Sequence, residues 1–324
     1  MELRRFLELS AGAVALSVIN GCTRHKPSTD TAHRTLTASD YHATRRFAET
    51  KFGRIAYVER GTADGALFLH GFPLNSFQWR GVLDPLSVHR RCVAPDFLGL
   101  GFTEVSENQS VAPNAQVEML VALLDSLSIK SVDLIANDSG GAVAQLFVAR
   151  YPQRVRTLLL TNCDTEPDSP PSAVHPVIEL ARAGKFADEF LVPSVADKAL
   201  ARSKKGALGT LCYSKPGNPT DEAIDYYLGP LVSSPLRKSQ ANAYAVALAP
   251  NPLAGIEAEL RRCTIPTRIV WGTADNIFSS ASPDYLDRTF PHSRGVRRIV
   301  GAKLFFPEEY PELIAEEALT LWRA

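Results

Sequence analysis

The residues best placed to do chemistry lie in one stretch, Val132 to Gly141 (VDLIANDSGG). Its first half is apolar or alternates like a buried strand, the next residues turn, and Ala142 to Arg150 carries helix formers with an apolar stripe. A sharp strand-to-helix turn throws its central side chain clear of the backbone, so the positions two before and two after it must be small. Ala136 and Gly140 meet that need around Asp138. A carboxylate displayed in this way is a nucleophile toward electrophilic carbon. A shift of one position displays Ser139 instead, with Asn137 as the first small residue, but the strand Val132 to Ala136 ends one residue too early for that register. In a third reading Asp138 only caps the helix that follows.

Such a turn needs a sheet to hold it. Arg46 to Thr50 and Arg54 to Glu59 flank Phe52-Gly53 and predict an edge hairpin. Ala66 to Leu69 is an unbroken apolar run suited to a strand buried on both faces, and it runs into His70-Gly71-Phe72-Pro73. Cys92 to Asp96 predicts the next strand, with a structural Asp96, and Gly99-Leu100-Gly101 a loop. Val117 to Leu127 shows a helical stripe, and Val155 to Leu160 is a further strand, ending at Thr161-Asn162-Cys163-Asp164. Strand and helix alternate, so the fold class is α/β with a mostly parallel sheet and helices on both faces. The pattern breaks at Glu166-Pro167-Asp168-Ser169-Pro170-Pro171. Short helical segments then run to about Glu257, an inserted helical cap that would exclude water and shape a pocket. Tyr213, Tyr226, Tyr227 and Tyr244 lie in it. The sheet resumes at Thr267 to Trp271, followed by Gly272-Thr273-Ala274-Asp275, and closes with Val296 to Val300 before Gly301-Ala302-Lys303-Leu304-Phe305.

The elbow, the His70-Gly71-Phe72-Pro73 loop, the Trp-Gly-x-x-Asp ending at Asp275 and the Gly-Ala-x-x-Phe segment together resemble the α/β-hydrolase superfamily, in its epoxide hydrolase and haloalkane dehalogenase branch. The resemblance covers about Phe47 to Trp322. The Gly140-Gly141 pair stands where that branch places it after an aspartate nucleophile, which favours Asp138. By resemblance, the backbone N–H groups of Phe72 and Ser139 form the oxyanion hole, Asp275 is the acid of the triad and Asp164 is the reserve acid. The catalytic histidine is missing: its place falls to Leu304, or to Lys303 if the alignment slips by one. An ester formed on Asp138 would then lack the base that activates water, help worth roughly 10²–10⁴-fold. Lys303, His70 and His175 are the candidate substitutes. His292 precedes the last strand, roughly 15–20 Å from its carboxyl edge at about 3.3 Å per residue. Halide donors are also fewer, since Ser139 and Phe72 occupy places where the dehalogenases carry side-chain N–H groups.

The expected function is a hydrolase of small apolar electrophiles, epoxides or organohalides. The alternatives are a binding protein for an apolar small molecule and an esterase using Ser139. No cofactor or metal is implied, because no ligand cluster or dinucleotide loop appears. The 324 residues, 45% hydrophobic and 22% charged, can bury a large core, and 35 basic residues balance 35 acidic ones. That balance gives no general attraction to nucleic acid. At the start, Arg4-Arg5 precedes an apolar run from Leu9 to Ile19 and then Cys22, which resembles a twin-arginine export signal with a lipoprotein cleavage box. The expected organisation is an export signal over 1–21, a tether over 22–45 lipidated at Cys22, hydrolase core over 46–165, cap over 166–257 and core again over 258–324. Its expected location is membrane-anchored on the outer side through that lipid, or otherwise cytoplasmic. Cys92, Cys163, Cys212 and Cys263 have no metal or redox spacing and read as structural or free thiols.

Overall fold

The computed structural model describes residues 36–203 and 208–323. The export signal over 1–21, the lipidation site Cys22 and most of the tether therefore lie outside the described residues.

Eight strands form one sheet: β1 Arg45–Thr50, β2 Gly53–Arg60, β3 Gly65–Leu69, β4 Arg91–Pro95, β5 Val132–Asp138, β6 Val155–Cys163, β7 Thr267–Gly272 and β8 Ser293–Ile299, in the order β1-β2-β4-β3-β5-β6-β7-β8. β1 and β2 are the expected antiparallel hairpin, β2 runs antiparallel to β4, and every other pair is parallel. The central strands β3 and β5 are buried at every position, as their apolar sequences require when helices cover both faces. Helix α1 spans Ala38–Ala43, α2 Arg80–Ser87, α3 Pro113–Ser126 and α4 Ser139–Arg150. β5 and α4 join without an intervening residue. The nucleophile candidate therefore sits at the carboxyl edge of the middle strand.

The tether expected to reach residue 45 stops short of it. Thr37 caps α1, accepting from the Asp40 N–H, and Tyr41 is buried with its hydroxyl donating to the Ser76 carbonyl at 2.8 Å. The Ala38 N–H reaches Glu222 Oε1 at 2.6 Å, across to the inserted segment. One aromatic in a polar run is enough to dock the segment, because its burial outweighs the ordering of a few residues.

Between β6 and β7 the described residues form short helices and no sheet strand, the longest being Asp221–Val232 and Pro235–Val246. The last strand starts earlier than expected, at Ser293, and Val300 lies beyond it, 90% exposed. Cys92, Cys163, Cys212 and Cys263 are all free and buried.

Candidate active site

Asp138 is the last residue of β5 and has φ +54° and ψ −134°, a region that a residue with a Cβ enters only under constraint. The constraint comes from close packing on both sides. A Cβ on Gly140 would lie 2.5 Å from the His70 carbonyl oxygen and 2.7 Å from that of Leu69. The small residue read from the sequence is thus required by the approach of α4 to the end of β3. This geometry points Asp138, not Ser139, away from the backbone.

The Asp138 carboxyl accepts the Phe72 N–H at Oδ2, at 2.7 Å, and the Ser139 N–H also hydrogen-bonds to it. These are the two expected oxyanion donors, and both converge on the same group. Burial lifts the Asp138 carboxyl to about 7 against the pull of those two N–H groups, with the Asp275 charge adding to the rise. The Phe72 loop is fixed from behind: Gln78 Oε1 accepts the Gly71 N–H at 2.9 Å, and Gln78 Nε2 donates to Asn137 Oδ1 at 2.6 Å. Asn137 Nδ2 in turn donates to Thr161 Oγ1 at 2.9 Å and to the Leu304 carbonyl at 3.1 Å. Gln78 and Asn137 therefore tie the oxyanion loop, the elbow and the Leu304 segment together. Neither stood out in the sequence; a polar residue beside the nucleophile on a fully buried strand was the available signal.

Asp275 receives Asn162 Nδ2 at 2.7 Å and the Ile277 N–H at 2.8 Å, and burial raises its pKa. Asp164 is 6% exposed, accepts the Ser169 hydroxyl at 2.8 Å, and is pushed up to about 8 by burial and then by the Asp138 charge.

Of the two positions read for the missing base, Leu304 is 2% exposed and lines the same cavity as Asp138. Lys303 points elsewhere, its Nζ donating to the Thr210 carbonyl. His70 is buried with both nitrogens engaged: Nε2 accepts the Phe97 N–H at 3.1 Å, which leaves Nδ1 to donate to the Gly71 carbonyl at 2.8 Å. Burial keeps that ring neutral, and it braces the loop. His175 is exposed at the start of a cap helix and lines a separate surface hollow. None of the three candidate substitutes lines the cavity: the Lys303 and His70 side chains are held by hydrogen bonds elsewhere, and His175 lies on the surface.

The cavity measures about 110 Å³ and is walled by Phe72, Val177, Phe186, Leu248, Phe278 and Leu304, with Asp138, Ser139 and Asp164 as its polar members. Ser139 Oγ lies 3.3 Å from the Tyr244 hydroxyl and contacts no basic side chain, so it has no activating base for ester cleavage. Of the four cap tyrosines, Tyr213 and Tyr227 bond to Glu308 and Tyr226 to Arg45; Tyr244 alone stands beside the elbow. A larger open groove of about 740 Å³ runs past Phe102, Tyr226 and Arg237. It holds no buried nucleophile.

The profile of the alpha/beta hydrolase fold family matches residues 67–310. Haloalkane dehalogenase 2 of Mycobacterium tuberculosis is 26% identical over 274 residues, covering 83% of this chain and 92% of that protein. Cis-3-alkyl-4-alkyloxetan-2-one decarboxylase of Shewanella oneidensis is 29% identical over 121 residues, which is 36% of this chain and only 38% of that protein. The 2-hydroxy-6-oxo-2,4-heptadienoate hydrolase of Pseudomonas putida is matched over 30% of its length, at 43% identity. Among solved structures, the epoxide hydrolase CorEH superimposes with a TM-score of 0.71 at 20% identity, over 86% of this chain and 98% of that one.

Proposed function

The chain belongs to the α/β-hydrolase family and is a hydrolase of that superfamily, and from that premise we propose that Asp138 is its nucleophile, acting on small apolar molecules with an electrophilic carbon, epoxides or organohalides. The observation that carries the reading is the Phe72 N–H at 2.7 Å from a carboxyl that sits on a strained elbow and lines a mostly apolar cavity. Attack by Asp138 converts the carboxylate into an ester. The Phe72 and Ser139 N–H groups then face the oxygen that becomes negative when water adds to that ester. Asp275, the family's acid, has no histidine to orient here. The haloalkane dehalogenase relative supports the substrate class.

A second reading, a protein that binds an apolar molecule and turns it over poorly, is favoured by Leu304 in the histidine's place. Intact-protein mass spectrometry separates the two. Incubation with epoxides and alkyl halides should give product or a covalent adduct on the parent and neither on Asp138→Asn. Reversible binding equal in both proteins, without adduct or product, would leave only the binding protein. Export and lipidation at Cys22 stand as a proposal beside this one, tested by palmitate labelling that Cys22→Ser should abolish.

A further inference from the structure

The cavity holds a second carboxyl that the nucleophile reading leaves unused. Asp138 and Cys163 are register partners across β5 and β6, so Asp164 is the first residue past the end of the strand beside the nucleophile. Its backbone is pinned by Gln145 Nε2, which donates to its carbonyl at 2.8 Å, and by the bridge between Thr165 and Asp168. Its side chain takes the Ser169 hydroxyl at Oδ1 and its own backbone N–H, and it lines the cavity that Asp138 lines. Among the described residues no lysine, arginine or histidine pairs with it.

Resting on Asp138 as nucleophile, we propose that Asp164 is the acid–base residue of this site, doing in both halves of the reaction what the missing histidine would do in one, and that the substrate suited to it is an epoxide. The proton balance connects the two claims. As an Asp138 oxygen bonds to the ring carbon, the carbon–oxygen bond of the ring breaks and the ring oxygen takes the proton of Asp164. The products are a hydroxyalkyl ester on Asp138 and a carboxylate at Asp164. Water then adds to the ester carbonyl, gives a proton to that carboxylate, and leaves the oxyanion against the Phe72 and Ser139 N–H groups. Collapse expels the alkoxide, which takes the hydroxyl proton of the tetrahedral carbon. A diol leaves, Asp138 is a carboxylate again and Asp164 is protonated again.

A halide departs without needing a proton, so a haloalkane leaves Asp164 protonated when the ester forms and gives the second half no ready base. The ionisable groups acting on Asp164 are Asp138, Asp168, Tyr244 and Cys163. With its carboxyl pushed up to about 8, Asp164 carries its proton at neutral pH while Asp138 is partly ionised. Esterification of Asp138 removes the neighbouring charge and makes Asp164 a readier carboxylate for the second half.

The test uses a matched pair, butylene oxide and butyl bromide, with adduct on Asp138 followed by mass and diol by chromatography. Asp164→Asn should slow alkylation by the oxide at least about a hundredfold, while the bromide still alkylates within about threefold of the parent rate and its ester accumulates. On the parent itself, so that the result does not depend on a variant that folds, the ratio of oxide to bromide alkylation should fall about tenfold per pH unit above 8. A ratio constant from pH 6 to 9.5, or an Asp164→Asn that loses both alkylations equally, would overturn the acid–base role alone and leave Asp138 as nucleophile. Bromide adduct absent from the parent, together with no diol, would overturn the nucleophile reading and this one with it.

Discussion

Replacing Asp138 with Asn should stabilise the fold, and by an amount that grows with pH. Burial raises the Asp138 carboxyl from the ordinary value of 3.8 to about 7, so the folded state disfavours the ionised form that the unfolded chain adopts freely. The penalty is absent below about 3.8, grows as pH rises from there, and reaches its plateau above about 7. At about 1.4 kcal/mol per pH unit, it is about 1.6 kcal/mol at pH 5 and about 4 kcal/mol at pH 8. An asparagine keeps an oxygen for the Phe72 N–H but brings an amide with no acceptor there, costing about 1–2 kcal/mol. The net expectation is no change at pH 5 and a gain of about 2–3 kcal/mol at pH 8. For a domain of this size that is a rise in Tm of roughly 5–10 °C. Differential scanning calorimetry of both proteins at the two pH values reads it directly. A Tm difference independent of pH, or an Asn variant less stable at pH 8, would refute the claim that the carboxyl is held ionised against its surroundings. The same raised value requires that alkylation of the parent by butyl bromide gain about tenfold from pH 6 to 8, since only the carboxylate attacks.

Leu304→His should speed hydrolysis of the bromide-derived ester by at least about a hundredfold, read as adduct decay, at a stability cost of about 1–3 kcal/mol for a polar ring in an apolar wall. Unchanged decay in a folded variant would mean that Asp275 cannot orient an imidazole at that position. Ser139→Ala removes the hydroxyl and keeps the N–H, so adduct formation should stay within about threefold, and loss of all chemistry would instead make the serine the nucleophile. Gly140→Ala, whose methyl would meet two β3-end carbonyl oxygens at under 3 Å, should lose about 2–4 kcal/mol in urea unfolding. A neutral result there would mean that the elbow has room to relax.

Much of the catalytic edge was legible in the sequence because it rests on local steric demands. Small residues at Ala136 and Gly140, an apolar β3 followed by His70-Gly71-Phe72-Pro73, and Trp271-Gly272 ahead of Asp275 each encode a backbone path that only a few residue types permit. What was not legible depends on partners distant in sequence. Tyr41 is drawn into the fold by Ser76 and Phe77, which no pattern around residue 41 announces. Lys303 and Leu304 are neighbours in sequence and both fit a slipped alignment; only the turn after β8 decides that the lysine reaches Thr210 and the leucine the cavity. Gln78 read as an ordinary polar residue and Asn137 only as a small position in the alternative register, although together they tie the Gly71-Phe72 loop to the end of β5.

The groups around Leu304 and Asp275 have their own partners. Asp275, which the family uses to orient its histidine, has Asn162 and the Ile277 N–H as partners, and the Asn162 amide also ties it to Gly272 of β7. Leu304 fills its place 98% covered, and its carbonyl is occupied by Asn137. If Leu304 stands in the histidine's place, as the resemblance implies, Asp275 is not left as a carboxylate aimed at an empty hollow, because Asn162 and the Ile277 N–H already hold it. The one carboxyl among the described cavity residues besides Asp138 is Asp164, just past the end of the neighbouring strand and bonded to the Ser169 hydroxyl. Chemistry that needs a proton moved at this site therefore has a carboxyl carrier within the cavity wall. With Asp164 in the proposed acid–base role, the substrate best suited to the site is one whose leaving atom accepts that proton.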